Sequence, residues 1–483
     1  MVKYYIFFAA IVAPSLSYAQ ESGSLDNASN KNEPTWRRAR SDSAPVTYAE
    51  PTNLETSPIF LVQANDTDIW TEQVGGGTKE GLNVANFSCA GAQTIKITAP
   101  SNITICVIRP KSRGIVAKVE GRTVTFRIPE PQKLYLEIND LPHLAIFANP
   151  LEVNPPKQGD DQVVYYGPGN YDAGNISLKS DETLYIAGGA VVNAHLQGNN
   201  IQNVRILGRG ILNGDVRISN ATNLEVEGIF IRHNSGGWVN TLTDCTHSIY
   251  RNVKVFSYMA RWGTDGIDPV SCRDFTIDDC FVRTRDDCIS IKSSRDAHPT
   301  DGITVKNSVM VGWAHADGIT LGFELNGLVT NVLATNCDIL YARGQGHTGG
   351  HSAFSIVCDD HGDVKNVRFE DIRVEENIEI KNLELIVTEA QRYGQGNPRP
   401  GHVQGVYLKN VQWENPDKPF VIAGLPAMRN YNNNVVEDVT FDHCRVAGRL
   451  LGNPSDADFQ MEFARDIKFI PSTKMKKGIL SKE

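Results

Sequence analysis

One short pattern, a polar turn residue followed by apolar, polar and apolar residues, recurs seven times along this chain. It reads Asn203-Val204-Arg205-Ile206, Asn223-Leu224-Glu225-Val226, Asn252-Val253-Lys254-Val255, Asp274-Phe275-Thr276-Ile277, Gly302-Ile303-Thr304-Val305, Asn366-Val367-Arg368-Phe369 and Asp438-Val439-Thr440-Phe441. The intervals are roughly 20–35 residues, with two wider gaps, and a second apolar strand follows closely, as Asp371-Ile372-Arg373-Val374 does after Phe369. Alternation with period two means strands, and repetition at this spacing means a solenoid whose unit is strands and turns. Leucine at fixed offsets, the mark of leucine-rich repeats, is missing, and propeller blades are longer and more regular. The pattern predicts an all-β chain built on a right-handed parallel β-helix, with Asn or Gly at the tight corners.

The segment before the repeats reads differently. Short alternating strands such as Thr94–Thr98, Val124–Ile128 and Leu134–Ile138 are separated by turn clusters like Glu120-Gly121-Arg122, which predicts a small β-sandwich over 46–155. Pro155, Pro156, Gly159 and Asp160 mark its end, and 156–483 is assigned to the β-helix. Residues 20–45 are polar and read as a disordered linker. Residues 1–19 read as a signal peptide: Lys3, an apolar run from Tyr4 to Ala13, then Ser17-Tyr18-Ala19 before Gln20. That leader predicts a secreted or periplasmic protein, and no later segment is apolar for long enough to span a membrane. The net charge of −9 lacks the basic footprint of a nucleic-acid binder. Nine cysteines in an exported chain permit disulfides. Cys272, Cys280 and Cys288 nevertheless lie in apolar strands and read as small core residues. No CxxC, HExxH or zinc-spaced His cluster is present, so no metal or other cofactor is expected.

The densest polar stretch is Gly263-Thr264-Asp265-Gly266-Ile267-Asp268, followed by Arg285-Asp286-Asp287-Cys288-Ile289-Ser290-Ile291-Lys292. Asp265 and Asp286 are 21 residues apart, about one coil, so they are expected side by side on successive rungs. Asp287 adds a third carboxylate, and it shares a cleft with Asp286 only if the chain bends there, because neighbours in a strand face opposite sides. An Asp-Gly pair alone is a common turn. Three clustered carboxylates one coil apart are more, because they raise one another's proton affinity and hold one proton near neutral pH. A proton-bearing acid beside ionised carboxylates is what glycosidic bond cleavage requires.

These TDGID and DDCISIKS segments resemble those of the polygalacturonase family, glycoside hydrolase family 28. The small β-domain leading into Tyr165-Tyr166-Gly167-Pro168-Gly169 and Leu184-Tyr185-Ile186-Ala187-Gly188-Gly189-Ala190 is similar to the layout of the dextranases and isopullulanases, family 49. The resemblance implies that Asp286 is the general acid, and that Asp265 and Asp287 share the base role in an inverting single displacement. It also shows departures. Where family 28 carries Gly-His-Gly, this chain has Ala316-Asp317-Gly318, with His315 nearby as a candidate to compensate. Where the family has an Arg-Ile-Lys that grips galacturonate, this chain has Phe354-Ser355-Ile356-Val357. Without those cations a carboxylate clamp loses its anchor, which points to a sugar that is neutral at the cleavage position.

Neutral sugars are held by aromatic stacking and polar side chains, so Trp262, Lys292, His315, Asp317 and Glu324 are the candidate substrate-binding residues, with Trp313 and Phe323 as further aromatics. His347, His351 and His361 read as part of a long loop. The expected partner is a polysaccharide or oligosaccharide, an α-linked, dextran-like glucan first. A β-helix lyase would instead need a Lys or Arg base, a uronate and usually calcium on the carboxylates. A non-catalytic β-helix would use the aspartates only to orient glycan.

Overall fold

The computed structural model describes residues 44–471, apart from 76–80, 234, 295–298, 344–350, 379, 390–398 and 428–433. The leader and most of the linker read from the sequence lie outside the described residues. No α-helix occurs among the described residues.

Two five-stranded sheets form the N-terminal part. One is antiparallel, in the order Thr67–Ile69, Leu61–Ala64, Gln93–Thr98, Thr123–Ile128, Lys118–Glu120. The other runs Thr71–Val74, Leu82–Cys89, His143–Pro150, Gln132–Ile138, Cys106–Arg109. Within it Leu82–Cys89 and His143–Pro150 pair in parallel, a departure from a simple antiparallel sandwich. The reason is burial on both faces: Leu144, Ile146 and Ala148 point into the sandwich, while Ala145 and Phe147 pack outward onto the solenoid.

From Val163 to Ile470 the chain winds as a parallel β-helix. Each coil contributes strands to three stacked columns, such as Arg273–Asp278, Phe281–Thr284 and Ile289–Ser293. All seven corner residues of the sequence motif adopt positive φ, from 49° at Asp274 to 71° at Gly302. Asn and Asp tolerate this left-handed turn better than other side chains. Their amides also ladder between rungs, as in Asn223 Nδ2 to Asn203 Oδ1 at 2.8 Å. The interior is a continuous column of Ile, Val, Leu and Phe. The nine cysteines are free, and eight are buried, several donating to a carbonyl one rung away, such as Cys272 Sγ to Leu242 O at 3.2 Å.

The sandwich docks on the second column. Tyr135, Ala145 and Phe147 meet Phe230, Phe256, Phe281, Val309 and Tyr341, all buried. Ion pairs frame this apolar seam: Arg232 forks onto Glu72, Arg109 reaches Glu375 at 2.6 Å, and Lys133 meets Asp279 at 2.7 Å. The fork geometry suits Arg, whose planar donors match a carboxylate. Trp313 packs at this seam, with Arg343 4.3 Å over its ring and His143 5.7 Å away, and keeps part of its surface exposed.

Candidate active site

The chain passes from the second column to the third through a bend in each coil, and the polar residues singled out by sequence cluster at successive bends. Ile267 aligns with Ile289, and Ile289 with Ile319, so the offset between the first two rungs is 22 residues. Asp265 therefore stacks on Asp287, and Asp287 on Asp317, each two positions before those isoleucines. The expectation that Asp265 and Asp286 occupy equivalent places on adjacent rungs is corrected: Asp286 stands one position out of this stack. Residues 285–288 are outside the flanking strands, and that bend turns Asp286 and Asp287 toward the same region.

Backbone amides fix the carboxyls. Gly263 N donates to Asp286 Oδ2 at 2.7 Å, and Asp287 N to Asp286 Oδ1 at 3.1 Å. Gly263 has φ of +65°, the left-handed region. At Gly266 a Cβ would lie 2.5 Å from Cys288 O, so only glycine lets the two rungs approach so closely. Asp287 Oδ1 accepts from Asp317 N at 2.9 Å. Asp317 in turn accepts from Ser352 N at 2.9 Å and from Ser355 Oγ, with His351 Nδ1 3.4 Å away.

Lys292 is buried and meets Asp265 Oδ2 at 3.2 Å, Glu324 Oε2 at 2.6 Å and Asp268 Oδ1 at 3.8 Å, above the ring of Trp238 at 4.3 Å. Lys292, a binding candidate in the sequence, thus lies against Asp265. Trp262 is 52% exposed, with Arg285 4.5 Å over its ring and its edge against His315. Of the five binding candidates, Trp262 and Glu324 reach solvent, whereas Lys292, His315 and Asp317 are buried. Asp317 is fully buried with its oxygens accepting from the next rung, so it supports Asp287 from beneath. Trp238, Asp268 and His351 join the site without having been assigned to it by sequence. Trp238 was findable as the residue one coil before Asp265.

Burial governs the protonation of this cluster. It pushes Asp286 up to about 6, with the neighbouring Asp265 carboxylate adding to the rise and the Gly263 amide opposing it. Burial, then Asp317 and Asp265, drive Asp287 well above the ordinary carboxyl range. Asp265 is raised by burial but opposed mainly by Lys292. Burial alone would strip Lys292 of its proton, yet Asp265, Glu324 and Asp268 hold the ammonium well above its usual value. His351 is likewise raised against its burial by Asp317. Asp287, Asp317 and His351 bring ligand-capable atoms within 4.8 Å of one another, with the Asp317 amide on Asp287 Oδ1 and His351 Nδ1 3.4 Å from Asp317 Oδ1.

Fold and site together define a parallel β-helix with a cluster of buried carboxyls at one bend. The chain belongs to glycosyl hydrolases family 28, whose model matches residues 170–417. A probable polygalacturonase of Vitis vinifera is 24% identical over 261 residues, which are 50% of this chain and 42% of that protein, so the match spans less than half of the curated relative. Dex49A from Penicillium minioluteum shares the fold at 16% identity and TM-score 0.54, over 87% of this chain and 96% of that one. A hyperthermoactive exopolygalacturonase from Thermotoga maritima aligns at 19% identity and TM-score 0.47, over 64% and 84%.

Proposed function

We propose that this glycoside hydrolase cleaves a neutral, α-linked polysaccharide or its oligosaccharides by single displacement with inversion, and that it is exported. Asp286 is the general acid that protonates the leaving glycosidic oxygen. Asp265 and Asp287, one rung apart beside it, supply the base that activates water. The observation that carries the acid assignment is the Asp286 carboxyl itself, aimed by two backbone amides and lifted to about 6. A carboxyl in that state is half protonated at mildly acidic pH, where a general acid is most effective.

The neutral substrate is supported by how the nearby cations are used. Lys292 is neutralised by carboxylates, Lys381 pairs with Glu384 at 2.7 Å, and Arg285 stacks on Trp262 while donating to Met259 O at 2.6 Å. Ser355 spends its hydroxyl on Asp317, and Val357 is buried. A uronate reading draws on the name of the Vitis relative and on Arg261, which is exposed beside Trp262. A reducing-end release assay over dextran, pullulan, an α-1,3-glucan, an arabinan, a galactan and polygalacturonate separates the two. Activity on a neutral polymer, lost in Asp286→Asn, is expected, whereas release from polygalacturonate alone overturns the neutral-substrate reading. Export predicts a mature N-terminus at Gln20, readable by terminal sequencing of the secreted protein.

A further inference from the structure

A cavity at the junction of the sandwich and the first coils lies outside the carboxyl cluster, and the proposed reaction makes no use of it. We infer that it is an accessory site for one ring of a neutral glycan, a chain end or a branch, seated apart from the cleft. The ligand class follows from the lining, and the inference goes beyond the reading of the chain as a hydrolase.

The cavity spans about 480 Å³ out to its mouth, within the range of small-ligand pockets. Its walls come from the strap 47–51, from the sandwich at Trp70, Glu72 and Asn86, and from the solenoid at Arg209 and Arg232. The strap is tied at both ends. Val46 bridges to Ser88, and Thr52 Oγ1 accepts from Asn170 Nδ2 at 2.9 Å. Between these ties the Tyr48 hydroxyl is hydrogen-bonded to Ser88 Oγ at 2.5 Å. Its ring lies against Gly188, where a Cβ would come 2.1 Å from Cδ1 of the tyrosine. Only glycine at 188 leaves the ring that seat, so this wall is preformed. A cavity enclosed in this way accepts an end or a branch and not a chain passing through.

The chemistry of the walls selects the ligand. Among the described residues neither Tyr48 nor Trp70 stacks on another ring or on a cation, which leaves aromatic surface for a guest. Arg232 forks onto Glu72, and Arg209 donates to Glu227 Oε2 at 3.0 Å, Gly208 O at 2.9 Å and Pro150 O at 3.1 Å. Both guanidiniums are buried, and on both the Nε–H has no acceptor. Buried donors are nearly always paired, so each unmet N–H calls for an acceptor oxygen. The two charges are already matched by Glu72 and Glu227. A further anion therefore gains little, whereas a hydroxyl or ring oxygen supplies what is missing. Asn86 Oδ1 is taken by Asn149 Nδ2 at 2.7 Å, leaving the Asn86 amide as another donor. Aromatic surface, several donors and matched charge together suit an uncharged sugar ring.

The position gives the site a use. Phe230, also on the wall, pairs with Lys254, and Lys254 with Phe281. Those two coils run on to Asp265 and Asp287, so the cavity is one to two rungs from the carboxyls, roughly 5–10 Å along the axis. A polymer with one end seated there keeps its remainder at high effective concentration beside the cleft.

The chain has six tryptophans, so 5-fluorotryptophan labelling of the full chain reads the site directly, with the Trp70 fluorine signal assigned by its loss in Trp70→Phe. Glucose, galactose, arabinose and isomaltotriose are titrated separately in the Asp286→Asn background, where no substrate is consumed. At least one is expected to shift the Trp70 signal saturably. Val84→Phe, which fills the cavity from its wall, should weaken that binding by at least about tenfold. Asn86→Leu, which removes a donor, should weaken it by about three- to tenfold and serves if Val84→Phe fails to fold, which circular dichroism shows. No Trp70 shift with any of these sugars, or unchanged affinity in both folded variants, overturns the inference. A shift of Trp262 with Trp70 unmoved does the same while leaving the hydrolase reading intact. A Trp70 shift produced by phosphate and by none of the sugars overturns the neutral ligand class. A saturable Trp70 shift without hydrolysis of any polymer by wild type supports the accessory site and removes the hydrolase reading.

Discussion

Among its described residues the solenoid buries two lysines, and their surroundings differ. Lys254 lies under the docked sandwich, donates to Gly228 O and Asn252 O at 2.9 Å each, and sits 5.2 Å from the Phe230 ring. Lys292 lies beneath the cleft among three carboxyls. Burial pushes Lys254 well below the lysine range, with Lys133 and Arg209 adding to the fall, whereas the carboxyls hold Lys292 well above it. The same side chain therefore meets neutral backbone carbonyls in one place and carboxyls in the other. Neutral carbonyls satisfy an amine; only ionised partners keep an ammonium buried, and they do so where charge is needed for chemistry.

The largest effect expected in the cleft is from Asp286→Asn, which keeps the shape and removes the proton. Turnover should fall by about 10²–10⁴-fold with an unchanged thermal midpoint, measured by reducing-end release and calorimetry. Next comes the lysine pair. Lys292→Met leaves Asp265 and Glu324 buried without a cation and should cost about 3–5 kcal/mol in denaturant titration. Lys254→Met leaves two carbonyls without that donor and should cost no more than about 1–3 kcal/mol. Equal losses would erase the distinction between the two sites. Trp262→Ala should raise KM by about three- to tenfold, the worth of one stacked ring, with kcat nearly unchanged.

The smallest effects are in pH. Asp286 must hold its proton, so kcat/KM should fall as pH rises through about 6, and Asp265 must lose its own, so activity should also fall at lower pH. Lys254 has a folded value below its unfolded one. The unfolded chain then binds the extra proton, and stability should rise with pH up to the ordinary lysine range. Lys254→Met should flatten that slope.

Much of this architecture was legible in the sequence because corners and strands are local. Asn203, Asn223 and Asp438 announce their turns by residue type, and each does adopt positive φ. The three aspartates were legible for the same reason, as a dense polar run in an otherwise alternating pattern. Register was not, because the bends differ in length, so 21 residues bring Asp286 one place short and 22 bring Asp287 into line. Long-range docking was invisible too: nothing in the sequence pairs Trp313 with His143 of the sandwich. The parallel pairing of Leu82–Cys89 with His143–Pro150 depends on that same docked face. Asp268 gave no signal of its own, since its role comes from Lys292, a full coil away.

Time-resolved proton NMR of the first product from a neutral α-linked polymer reads the chemistry of the aspartates. Appearance of the β-anomer before mutarotation, abolished in Asp286→Asn, is the result predicted for single displacement by Asp286 and its neighbouring base. First appearance of the α-anomer, or of an unsaturated uronate, would contradict it.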